Sequence, residues 1–192
     1  MKRCTKGTRA RAGRHVLAGA LAAAAVAAPT GAVADDIYLK LEGIEGESIS
    51  AKHPKEIDVI SWSWGFRREV TAAKTACAQE IHITKLVDRA TPGLLTRASV
   101  GTTVPTGRLS VAKSGELAID YLTLDFTGVT VKSMQSAGSQ GGDSSVETIS
   151  LAWTSGVLTY RQVDPKGGIG ATLNANLPPT CLPPQPAADT GR

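Results

Sequence analysis

Aromatic residues make up only 4% of this 192-residue chain, and it holds just three histidines and three cysteines for metal or nucleophile chemistry. Beyond residue 34 these reduce to His53, His82, Cys77 and Cys181. They form no H-x-x-x-H, H-E-x-x-H or C-x-x-C spacing, so a metal centre built from His and Cys is not expected. After the first 34 residues no basic run is longer than Arg67-Arg68, and the few aromatics cannot interleave with cations into a nucleic-acid platform. Long hydrophobic runs are missing too: Val16 to Ala28 is 13 residues of mostly alanine, short of the ~20 needed to span a bilayer.

The context of that run gives it a different meaning. Lys2, Arg3, Lys6, Arg9, Arg11 and Arg14 precede it without any acid, and it ends in a Pro29 to Gly31 break followed by Ala32-Val33-Ala34. A cationic segment, a short apolar stretch and an A-x-A site are the parts of a secretory signal peptide, so residues 1–34 read as a leader cleaved after Ala34. No two arginines are adjacent within it, and Cys4 lies too early for a lipidation site, so neither twin-arginine export nor a lipoprotein is expected. Removing six of the twenty-one basic residues leaves fifteen against seventeen acids, a net charge of −2, so the basic character belongs to the leader. The 158 residues from Asp35 onward suffice for one domain, burying about 70% of the unfolded surface without a metal or disulfide staple. An exported chain would carry Cys77 and Cys181 into an oxidising space where pairing is permitted; two unrelated thiols are the alternative.

The patterning is that of strands with one helix. In Ile57–Arg68 the residues Ile60, Trp62, Trp64 and Phe66 share one parity, which predicts a strand presenting them to the core. Asp36–Leu41 is a short strand leading into a glycine-punctuated acidic loop, and Lys52–Glu56 is a polar link. Ala72–Ala78 reads as a loop and Ile81–Leu86 as a strand. Thr91-Pro92 predicts a helix with Thr91 as N-cap, stopped at Gly101. Arg108–Ala112 and Leu117–Phe126 are strands, and the parity switch in the second predicts a bulge or two covered faces. Ser133–Ser145 reads as a loop, and Ser145–Trp153 with Val157–Val163 as a hairpin turning at Ser155-Gly156. Many short strands with one helix imply a closed or nearly closed β-barrel or sandwich. The end, Leu177–Pro186, is proline-rich.

Several of these segments, in this order, resemble the Hcp family, the tube protein of bacterial type VI secretion. They are Asp36–Ser48, Ile57–Arg68, Lys85–Leu95, Gly141-Gly142-Asp143 with Glu147–Leu151, and Asp164–Gly168. The resemblance implies a mainly β fold: a small barrel of antiparallel strands with one short helix. It also implies self-association into a six-membered ring, stacking of rings, and contacts with a VgrG-type spike, a sheath and secreted effectors. The organisation expected is a signal peptide over 1–34, the Hcp-like domain over 35–170 and a proline-rich tail over 171–192. The leader, the Ala72–Ala78 segment with its cysteine, Trp153–Gly156 and the tail depart from the family pattern.

An enzyme is the competing class. Gly142-Asp143-Ser144 lacks the glycine that follows a serine nucleophile, His53 sits in a strand link without a base context, and Gly167–Gly170 lacks the strand-to-helix setting of a phosphate loop. The pairs Glu45 with Glu47 and Asp120 with Asp125 read as solvated or edge-protecting, and His82 as structural. No catalytic, cofactor or metal residue is assigned, and after cleavage no membrane or nucleic-acid partner is expected. The alternative to a tube protein is an exported module of the same fold that serves binding or adhesion. The protein recovered from the periplasm is expected to begin at Asp35 by intact mass; a retained leader there would overturn the cleavage after Ala34.

Overall fold

The computed structural model describes residues 35–68, 76–114, 118–142, 144–164 and 167–181; the leader, Asp143 and the tail beyond Cys181 lie outside them. The elements are β1 (Asp35–Leu41), β2 (Ile57–Ser63), β3 (Phe66–Arg68), β4 (Ala76–Ala78), β5 (Ile81–Leu86), α1 (Thr91–Val100), β6 (Val104–Lys113), β7 (Asp120–Ala137), β8 (Val146–Ala152), β9 (Ser155–Val163) and β10 (Ile169–Leu177). The fold is thus mainly β with one short helix, as the sequence predicts. Pairing runs β7–β6–β1–β2–β5–β8 and back to β7, all antiparallel. This barrel-like circuit gives each member a neighbour on both sides, which removes most free edges. Leu39, Ile57, Ile83, Leu109, Leu124 and Leu151 fill its interior, with Leu94 of α1 buried among them.

Beta-bulges decide which side chains reach that interior. In β2, Val59 lies opposite Lys85 while Ser61 lies opposite Thr84, so Ile60 is an extra residue. The pleat changes phase there: Ile57 and Val59 point inward before the bulge, and Trp62 and Trp64 are half-buried against the core after it. The expectation that Ile60 and Phe66 face the core is therefore wrong; they are 54% and 56% exposed. Tyr121 is the extra residue in β7, since Val111 pairs with Leu122 and Ala112 with Asp120. Of the two readings of that parity switch, the bulge is the one present.

The second half of β7 differs more from expectation. Ser133–Ala137 is strand, not loop, because β8 pairs with it out to Ala137. Nor do β8 and β9 form a hairpin. Ala152 lies opposite Thr130 and Ser155 opposite Thr127, so the two strands are successive halves of one partner that runs antiparallel to β7, broken at Trp153-Thr154. Gly128 of β7, at φ +63°, faces this break, and a Cβ there would lie 2.5 Å from Thr154 Oγ1. Only glycine fits.

Three further boundaries move. The N-cap of α1 is Ala90, without a side-chain bond, because the Thr91 hydroxyl is engaged elsewhere; Pro92 in the first turn and left-handed Gly101 at the C-cap are as expected. Ala76–Ala78 is strand β4, paired with β3. The boundary placed at Gly170 falls inside β10, whose main chain pairs with β9 as far as Leu177 opposite Gly156. Ile57→Ala should cost about 2 to 5 kcal/mol by chemical denaturation, as for a large-to-small core change, and Ile60→Ala under about 1 kcal/mol, as for an exposed site. The reverse order would place the phase change elsewhere.

Candidate functional site

Three polar constellations stand out from this frame. The first lies inside it. Lys85 of β5 and Glu147 of β8 are register partners, and both side chains are completely buried. Lys85 Nζ is 2.8 Å from Glu147 Oε2 and 2.8 Å from Asp88 Oδ1, and it donates to the Leu86 carbonyl at 2.7 Å. The Thr91 hydroxyl donates to Glu147 Oε2 at 2.8 Å and accepts from the Asp88 amide at 3.1 Å, while Ser136 of β7 donates to Glu147 Oε1 at 3.0 Å. Burial pushes the Glu147 carboxyl up, but hydrogen bonds from Lys85, Thr91 and Ser136, with the attraction of the Lys85 charge, outweigh it and hold the group below its ordinary value.

The second constellation fixes the loop between β1 and β2. Gly46 donates to the Lys55 carbonyl at 2.8 Å and Ser48 to that of Glu56 at 3.0 Å, folding the loop on itself. A Cβ on Gly46 would lie 2.3 Å from the Glu56 oxygen, so the approach requires glycine. His53 then pins it: its buried ring stacks on Tyr38 at 4.3 Å and bonds Glu56 through Nδ1 and Asp120 through Nε2, both at 3.0 Å. The loop so held carries Ile49 outward, fully exposed.

The third is a clasp at the C-terminal end. Cys77 of β4 and Cys181 form a disulfide with Cα atoms 4.9 Å apart. Around it, Ala78 donates to the Pro179 carbonyl at 3.0 Å and Cys181 to that of Ala78 at 2.8 Å. Thr180 meets the break between β8 and β9: its amide donates to the Trp153 carbonyl at 3.0 Å, and the Trp153 amide donates to its hydroxyl at 2.9 Å. The Trp153 indole donates to the Pro178 carbonyl at 3.0 Å.

The other residues singled out in the sequence are dispersed. Glu45 pairs with Lys55 and Arg89, Glu47 accepts from the Arg89 amide, Asp125 bonds Arg108, and His82 is exposed on β5. Ser144 is exposed at the far end of the β7–β8 hairpin, so it and His53 belong to separate parts of the fold. Among the described residues no cluster of His, Cys, Asp and Glu is arranged to hold a metal, and no helix is long and apolar enough to cross a membrane. The sequence reading missed Glu147, Ser136 and Thr180 as partners. A signal existed for Glu147: Lys85 shares the inward parity of Ile81 and Ile83, and a lysine placed there needs a buried acid.

Comparison with known proteins adds to this geometry. A family described as type VI secretion system effector, Hcp, matches residues 38–160, from β1 into β9. The chain is similar to Protein hcp1 of Pseudomonas aeruginosa, 31% identical over 137 residues, which cover 67% of this chain and 85% of that protein. Among solved structures, Hcp1 of Salmonella typhimurium superposes with a TM-score of 0.62 at 31% identity, over 74% of this chain and 93% of the other. A type VI secretion system effector from Yersinia pestis does so at 0.61 and 28%, over 74% and 100%.

Glu147→Gln leaves the Lys85 ammonium buried beside a neutral amide and should cost about 3 to 5 kcal/mol, as for a broken buried pair. A carboxyl held below its unfolded-state value contributes stability that is present above that value and lost as pH falls through the folded one. Denaturation followed from pH 7 downward should therefore show an acid-side loss that is smaller in Glu147→Gln. An equal slope in both proteins would remove Glu147 from the account.

Proposed function

The chain belongs to the Hcp family of type VI secretion proteins, a family of structural, secreted tube proteins, not enzymes, and on that premise we propose that it is a ring-forming carrier subunit. In this reading six copies close head to tail, rings stack, and the lumen accommodates secreted effectors, while the ends meet like rings and a VgrG-type spike within a sheath. The observation that carries it is the match over residues 38–160, which spans the described strand circuit. A heterologous interface that closes by rotation generates a ring, and such an interface needs exposed sheet edges and apolar contacts. Strand β10 supplies an edge without a partner on its outer side among the described residues, with Ile169 and Leu173 exposed along it. Ile49 supplies an apolar contact on a loop clamped by His53.

One observation favours a second reading. That observation is the sequence pattern of residues 1–34: read as a leader, it would route the chain through general export, whereas tube subunits assemble in the cytoplasm, so an exported protein of this fold would serve binding or adhesion outside the inner membrane. The leader's removal and a domain beginning at Asp35 are part of both readings. Size-exclusion chromatography with light scattering, joined to negative-stain microscopy on the protein from Asp35 onward, separates them. Rings of hexamer mass are expected, and Ile49→Asp should keep the ring while abolishing its stacking, because a charge cannot be buried unpaired at an apolar contact. A monomer at micromolar concentration without rings would overturn the tube reading.

A further inference from the structure

The clasp ties β4 to residues 178–181, which lie beyond the stretch 38–160 that the family matches, and its chemistry points beyond a passive staple. Strands β3 and β4 form a two-stranded ribbon of their own, separate from the eight-stranded sheet. The contacts that join β4 to the rest of the described fold include the bridge between Ala78 and Thr180 and the disulfide. The segment Pro178–Cys181 in turn stands beyond the end of β10, between β4 and Trp153-Thr154. Ribbon and segment hold each other, while the circuit β7–β6–β1–β2–β5–β8 closes without either.

The bridge can also be reached. Cys77 and Cys181 are both half-buried, and clefts open on two sides of Cys181. One is lined by Trp64, Arg67, Gln79 and His82, the other by Lys132, Trp153 and Thr154, with Glu80 common to both. Arg67 is the register partner of Cys77 across the ribbon. Cys181 lines both clefts and Cys77 neither, which makes Cys181 the sulfur open to attack and Cys77 the leaving group.

We propose that Cys77–Cys181 is a thiol–disulfide exchange site that latches the C-terminal segment, and that its partner is a dithiol–disulfide protein of the oxidising compartment. In the opening direction, a thiolate of the partner attacks Cys181 Sγ, the Sγ–Sγ bond breaks and Cys77 departs as thiolate. The partner's second thiol then attacks the mixed disulfide and frees Cys181. The chain gains two electrons and, from the two thiols, two protons; the partner becomes a disulfide. Closure is the reverse, with the partner's disulfide as oxidant. Opening releases residues 178–181 and uncovers the main chain of Trp153 and Ala78, while the strand circuit remains folded. This device is independent of ring formation.

The test uses the full chain recovered from the exported fraction without reductant. Alkylation should find the Cys77 and Cys181 thiols blocked until dithiothreitol is added. Hydrogen exchange at the Ala78, Trp153, Thr180 and Cys181 amides should then accelerate by about tenfold or more, as for local opening, while those of Leu39, Ile83 and Leu124 stay protected. Cys77→Ser with Cys181→Ser should reproduce the open pattern without reductant, and limiting glutathione should leave its adduct on Cys181. Free thiols in the unreduced chain, unchanged exchange at the four amides, or uniform loss of protection across the sheet would overturn the latch. An adduct on Cys77 would overturn the direction of attack.

Discussion

A lysine ammonium with no exposure to water constrains everything built around it. Removing Lys85 from solvent costs several kcal/mol unless acceptors surround it, and the chain supplies them from separate stretches: Glu147 from β8, Asp88 and Thr91 from the approach to α1, and the main chain at Leu86. Because Lys85 and Glu147 are register partners, a slip of one residue between β5 and β8 would turn the acid away from the ammonium. The pair therefore specifies strand register and helix placement together. An apolar substitute could fill the same volume without setting either.

This constraint also explains what could be read from the sequence. The strand segments, the single helix with its proline start and glycine stop, and the family were legible, because periodicity and local turn chemistry are properties of short stretches. The phase of each strand was not. A bulge at Ile60 depends on how β5 lies beside β2, and the same four-residue apolar stripe is split by it into an exposed isoleucine and half-buried tryptophans. Thr91 looks like an N-cap locally, yet its hydroxyl bonds a carboxylate 56 residues away in sequence. Ser133–Ala137 has the composition of a loop and is a strand through pairing alone, and β10 shows no alternation because eight of its nine residues are exposed.

The polar constellations were legible only in part. The absence of metal-ligand spacing followed from counting residues, and Cys77 and Cys181 could be named as candidates, but their approach depends on β4 and on the segment after β10, neither of which has a sequence signature.

The hairpin of β7 with β8 and β9 has a mechanical consequence. Its break at Trp153-Thr154 is where Thr180 is fastened, close beside Gly128. A load drawn on the chain at Asn176 would peel β10 from β9 one hydrogen bond at a time, the weakest direction in which a sheet can be pulled. With Cys181 joined to Cys77, a load applied beyond residue 181 enters the molecule through a covalent bond at the ribbon and bypasses β10 altogether. Anything towed by the C-terminus is thereby tied to the body of the protein instead of to its most exposed strand.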